Sequence, residues 1–114
     1  MVHIARTHFA EVARMSEIPD GGTRQVEVDG TLIGLFRAGP KVYAIGDVCT
    51  HQEAYLTEGE WESEELEVEC PLHGSRFDVC TGAVRILPAT KPAVAYEVKL
   101  EDDVIFVGPP IKRV

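Results

Sequence analysis

Cys49-Thr50-His51 and Cys70-Pro71-Leu72-His73 decide how the rest of the chain is read. Each stretch pairs one thiol with one imidazole, and eighteen residues separate the two. Four soft or borderline ligands in matched pairs point to a bound metal. Iron–sulfur clusters usually take four cysteines, and one variety replaces two of them with histidines on a single iron. A structural zinc site is the main competitor, since zinc also takes Cys and His. Zinc half-sites usually space two cysteines by two to four residues, and C-x-H is too tight for that habit. Two core cysteines beside two ordinary histidines would be the plainest reading, but four such residues at paired spacing argue against it.

The flanks extend the pattern. Cys70-Pro71-Leu72-His73-Gly74-Ser75-Arg76-Phe77-Asp78, followed by Thr81-Gly82, resembles the second cluster loop of Rieske-type 2Fe–2S ferredoxins. Cys49-Thr50-His51, entered from Val42-Tyr43-Ala44-Ile45, resembles the first. The similarity runs from about Phe9 to Gly108. The resemblance implies one 2Fe–2S cluster, with Cys49 and Cys70 on one iron. His51 and His73 would bind the other through their δ nitrogens, leaving the histidine edge at the surface as the electron port.

Charge explains the mixed ligand set. Two ferric ions, two sulfides and two thiolates sum to zero, whereas four thiolates would leave the oxidised centre negative. Adding an electron to a neutral centre is easier, so histidine ligation raises the potential. High-potential relatives carry an extra cysteine in each loop, joined as a disulfide; Ala54 and Leu72 stand there in this chain. Of the serine and tyrosine hydroxyls that bond the cluster sulfurs in those relatives, Ser75 keeps the first and Phe77 lacks the second. A potential near the low end of the Rieske range is the expectation. Ser75 reads equally well as a turn residue bonding its own backbone. Pro88 resembles the proline-bearing loop that covers the cluster in this family, and also suits an ordinary loop. Gly74 and Gly82 read as residues needed for backbone geometry.

A length of 114 residues suits one domain spanning 1–114. No apolar run approaches a membrane span, and the N-terminus has no secretory pattern, so a cytoplasmic protein is expected. Nineteen acidic against eleven basic residues give a net charge of −8, which argues against nucleic-acid binding. Seven glutamates gather at Glu58, Glu60, Glu62, Glu64, Glu65, Glu67 and Glu69. They read as a solvated face, or as a rim that steers a basic partner. Three cysteines leave Cys80 over once the cluster is served, which argues against a disulfide framework. Cys80 is expected as a small buried residue at a strand end. His3 and His8 read as surface residues, and Trp61 and Tyr55 as packing for the segment between the ligand pairs.

The remaining pattern is all-β. Strands are expected over Phe9–Arg14, around Val26 and Val28, over Leu32–Phe36 and Lys41–Ile45, along alternating Val94, Tyr96, Val98 and Leu100, and over Val104–Val107. Asp29-Gly30 fits a two-residue hairpin. Gly46 to Gly82 is rich in turn residues and reads as an insert, about 46–82, holding both ligand loops. The resemblance implies an antiparallel β-sandwich with a small cluster-binding subdomain at one end.

No nucleophile–base pair or nucleotide-binding loop is present, so no catalytic residue is assigned and no enzyme activity is expected. The resemblance implies a one-electron carrier, a monomer when free. It would pass electrons from an NAD(P)H-dependent ferredoxin reductase to the terminal oxygenase of an aromatic-ring-hydroxylating dioxygenase system, binding each transiently. A small Rieske subunit of an assimilatory nitrite reductase is the alternative.

Overall fold

Val26 and Val28 alternate with Gln25 and Glu27 in β2 (Thr23–Val28), and Asp29-Gly30 folds the chain straight back into β3 (Thr31–Ala38). Both turn residues have positive φ, 51° and 81°, which suits the twist of a tight hairpin. The computed structural model describes residues 9–50, 53–72, 74–87 and 89–111. Among these lie β1 (Ala10–Arg14), β4 (Lys41–Gly46), β9 (Ala95–Glu101) and β10 (Val104–Pro110), with a 3-10 turn at Met15–Glu17. These four strands join β2 and β3 in one antiparallel sheet of order β1-β10-β9-β4-β3-β2.

β4 and β9 pair at only two positions, Ala44–Tyr96 and Ile45–Ala95, where the two halves of the sheet meet. Ala13, Val28, Ile33, Leu35, Val42, Ala44, Ile105 and Val107 from its two halves then share one core with Ile18. The result is the antiparallel sandwich that the strand pattern implies.

Strand periodicity builds a second core on the other face. Along β3, Ile33 and Leu35 enter the first core while Phe36 points the opposite way; along β4, Val42 and Ala44 oppose Tyr43 and Ile45. Phe36 and Ile45 meet Leu56, Val68, Phe77, Val79, Ala89, Ala93 and Ala95, together with both Cys49 and Cys70. Trp61 closes this core, its ring 5.2 Å from that of Phe36 and its Nε1–H donating to the Arg37 carbonyl (3.0 Å). Tyr55 does not share that role fully, since it stays 40% exposed.

The segment expected as turns contains more order. A 3-10 turn at Leu56–Glu58 leads to β5 (Glu60–Glu62), β6 (Glu67–Glu69) and β7 (Arg76–Asp78), and β8 (Val84–Ile86) completes a four-stranded antiparallel sheet. Three-residue strands carry too short an alternation to be read from sequence. Across β6 and β7, Val68 directly opposes Phe77, and both are fully buried. Each buried side chain of this kind contributes about 1.5–3 kcal/mol.

Register also explains the glutamates. Glu60 lies opposite Glu69, and Glu62 opposite Glu67, which would destabilise the sheet if left alone. Arg76 reaches Glu62 (3.9 Å), Glu67 (3.6 Å) and Glu69 (3.0 Å), and Arg85 adds a contact to Glu67 (3.8 Å). Those three glutamates are half-buried partners of arginine, not a solvated face; Glu58, Glu60, Glu64 and Glu65 are exposed.

Candidate cluster site

Cys49 and Cys70 begin two matched loops. The Cys49 N–H donates to the Ala54 carbonyl (2.8 Å), and the Cys70 N–H donates to that of Ser75 (2.7 Å), five residues on in each case. Gly74, with φ of 76°, returns its N–H to the Cys70 carbonyl (3.1 Å). The first loop leaves the end of β4 and the second leaves the end of β6, so each is rooted in a sheet. Cys49 is 4% exposed and Cys70 1%, and no disulfide joins them.

A third loop is tied to both. The buried Ala89 N–H donates to Ser75 Oγ (2.9 Å), and Thr50 Oγ1 donates to the Lys91 carbonyl (2.6 Å). Ser75 therefore bonds a backbone group fourteen residues away, not its own turn. Its hydroxyl is fully buried and accepts from Ala89, so its own hydrogen still needs an acceptor. None is found among the described residues. Phe77, fully buried in the core that holds both cysteines, puts a ring without a hydroxyl on this side of the site.

The roots of the loops are polar. Asp47, two residues before Cys49, is fully buried and accepts from Thr57 N–H (2.7 Å), Thr57 Oγ1 (2.8 Å) and Gln25 Nε2 (2.7 Å). Asp78 accepts from the N–H groups of Cys80 (2.7 Å) and Thr81 (3.1 Å) and from Arg85, which shapes the turn into β8 with Gly82 at φ 80°. Burial pushes the Asp78 carboxyl up, but the Arg85 and backbone hydrogen bonds outweigh it and hold the group below the ordinary carboxylate range. Cys80 is half-buried rather than buried; burial and the Asp78 charge push its thiol up, away from nucleophilic character. The sequence assigns neither aspartate a role, and it is burial and these hydrogen bonds that mark Asp47 out.

His51 and His73, the other two expected ligands, lie outside the described residues, as do His3, His8 and Pro88. Among the described residues, no three His, Cys, Asp or Glu side chains gather to hold a metal.

The Rieske [2Fe–2S] domain family matches residues 8–101. The chain belongs to that family. It is 39% identical over 95 residues to the ferredoxin component of the naphthalene 1,2-dioxygenase/salicylate 5-hydroxylase systems of a Ralstonia species, covering 83% of this chain and 89% of that one. Among solved structures, the ferredoxin of carbazole 1,9a-dioxygenase from Nocardioides aromaticivorans IC177 superposes with a TM-score of 0.86 at 42% identity, covering 90% of this chain and 99% of that one. A chain from a complex of reduced oxygenase and oxidised ferredoxin in carbazole 1,9a-dioxygenase matches with a TM-score of 0.83 at 33% identity, over 93% and 97%. An NADH-dependent nitrite reductase small subunit from Mycobacterium tuberculosis shares the fold at 20% identity and a TM-score of 0.78, over 89% and 94%.

The family's group is a Rieske-type 2Fe–2S cluster, and the described residues fit it. Two unbridged, water-shielded thiols suit iron. The buried Ser75 hydroxyl has a hydrogen to give to a sulfur. No helix among the described residues is long and apolar enough to cross a membrane.

Proposed function

We propose that the chain is a one-electron carrier of a ring-hydroxylating dioxygenase system, with Cys49, His51, Cys70 and His73 as the cluster ligands. The observation that carries this reading is the matched pair of cysteine loops, each closed five residues on and both buried in one core. Relatives named as ferredoxin components, similar along most of the chain, supply the class of system. Bound at these loops, the cluster supplies a one-electron couple. Cys49 and Cys70 exclude water from one side of the site. The bonds from Thr50 to Lys91 and from Ala89 to Ser75 hold three loops together, which limits rearrangement when charge changes.

Electrons enter from an NAD(P)H-dependent reductase and leave to the terminal oxygenase, both at the edge carrying His51 and His73. Exposed apolar side chains on the site's loops, Leu72 (58%) and Leu87 (68%), suit brief contacts with each partner in turn. The protein works in the cytoplasm as a single-domain monomer between encounters, and residues 46–82 serve as its cluster-binding insert. The nitrite reductase alternative has less support, because at 20% identity that likeness concerns the fold alone.

The test is metal analysis and spectroscopy of the purified chain, which should hold two irons and two sulfides. His51→Cys and His73→Cys should each abolish or convert the Rieske spectrum. Wild-type spectra in both variants would sink the ligand assignment. Stopped-flow oxidation of the reduced chain by a terminal oxygenase should show release between turnovers; a complex that never dissociates would favour the fixed subunit.

A further inference from the structure

Gly59 lies where two backbones touch. A Cβ placed on it would sit 1.8 Å from the Glu69 carbonyl oxygen and 3.2 Å from Pro71 Cδ. Its φ of −89° and ψ of −171° are extended values open to any residue, so the reason for a glycine here is space. The residue ends the 3-10 turn at Leu56–Glu58, and that turn is held in place by several bonds. The Gly59 N–H donates to the Leu56 carbonyl (3.0 Å), the Leu56 N–H to the Asp47 carbonyl (2.7 Å), and Thr23 Oγ1 to the Thr57 carbonyl (3.1 Å). The Thr57 hydroxyl donates to Asp47 (2.8 Å), and the Leu56 side chain is fully buried. On the other side, the peptide between Glu69 and Cys70 turns its carbonyl toward Gly59 and donates its N–H to the Ser75 carbonyl (2.7 Å). One peptide unit is therefore gripped from both sides, and the second of its residues is Cys70.

We propose that Gly59 is a positioning residue for the second ligand loop: it lets the 3-10 turn rest directly on the Glu69–Cys70 peptide and so fixes the backbone that presents the Cys70 thiol. The inference rests on Cys70 being a cluster ligand. Distances decide where the strain of a larger residue would go. An ordinary contact between carbon and a carbonyl oxygen is about 3.3 Å, so an added methyl would force the two backbones about 1.5 Å apart. The bond from the Cys70 N–H to Ser75 has only about 0.5 Å of stretch before it leaves the usual range. The turn, tied at Leu56 and Thr57, does not supply the whole retreat. Part of the displacement falls on Cys70 and, through that bond, on Ser75, whose hydroxyl has a hydrogen to give to a sulfur.

Gly59→Ala is the direct test, and Gly108→Ala is its control. A Cβ on Gly108, in β10 and outside both ligand loops, would meet the Phe9 ring at 2.4 Å, so it strains the fold without touching the Glu69–Cys70 peptide. In the cluster-loaded protein, Gly59→Ala should speed hydrogen exchange at the Cys70 amide about tenfold, and Gly108→Ala should not. Gly59→Ala should also alter the Rieske spectrum and disfavour reduction about threefold, a fall of about 28 mV, as the Ser75 hydroxyl draws back. Gly108→Ala should lower the melting temperature with spectrum and potential unchanged. A Gly59→Ala protein with native Cys70 exchange, spectrum and potential would overturn the proposal, and so would equal shifts in both variants. Should Gly59→Ala fail to fold, Thr57→Val decides. It keeps the shape of the side chain but unties the hydroxyl from Asp47. Exchange should then quicken at Gly59 and Cys70 together, while the amides of β10 keep their protection; quickening at Gly59 alone, or at neither, would overturn the proposal. A wild-type chain without a Rieske spectrum would instead overturn the ligand assignment on which the proposal rests.

Discussion

Ser75→Ala separates two jobs that one hydroxyl does. The oxygen accepts from the N–H of Ala89, a residue with no exposed surface, so the alanine variant leaves a buried donor without its acceptor. That costs about 1–3 kcal/mol. In a domain of this size the loss lowers the melting temperature by roughly 4–13 °C. It should also expose the Ala89 amide to faster hydrogen exchange, while the amides of β3 and β10 keep their protection. The hydrogen of the same hydroxyl has no acceptor among the described residues, and a cluster sulfur would supply one. A hydrogen bond to a charged acceptor contributes about 1.5–3 kcal/mol, but only the part gained on reduction affects the potential. Taking about half gives roughly a tenfold change in the reduction equilibrium, a fall of about 59 mV. The assay is exchange at Ala89 and voltammetry on the same preparation. Faster exchange with an unchanged potential would reduce Ser75 to a loop fastener. An unchanged potential and unchanged exchange would refute both parts of the reasoning.

Two further outcomes follow from residues around the same core. Phe77→Tyr should raise the potential, from a wild-type value near the low end of about −150 mV, by placing a hydroxyl where Phe77 now offers only ring carbon; voltammetry that finds no rise, with the spectrum intact, would place the ring away from the sulfurs. Asp78→Asn should destabilise the protein by about 1 kcal/mol at pH 7 through loss of the Arg85 contact, a modest figure because Arg85 is half exposed. Because hydrogen bonds hold the folded Asp78 carboxyl below its unfolded value near 3.9, this stability is present in full above pH of about 4 and is lost as pH falls through the lower folded value. Denaturation of both proteins at pH 7 and pH 3 checks it: the gap between them should narrow in acid, and a gap that widens would show the sign to be wrong.

What the sequence revealed and what it hid divide along physical lines. The long strands were legible because Val26 and Val28, or Tyr96 and Val98, repeat an alternation over six or more residues, and because Asp29-Gly30 has few other uses. Strands β5 to β8 were hidden because three residues give hardly more than one period. Their polar positions are filled with Glu and Arg, which resemble a solvated segment until the register sets Glu62 against Glu67 with Arg76 across them. The cysteine pair was legible as chemistry, since thiols at that spacing have few other employments. The supports of the site were not, because they rest on contacts between distant residues: Ala89 on Ser75, Lys91 on Thr50, Gln25 on Asp47. In sequence each of these is an ordinary loop or strand residue. Each acquires a role only when β3, buried on both faces, brings the sandwich core and the cysteine core against one another. A substitution series confined to the four proposed ligands would therefore miss the residues that fasten the loops to one another.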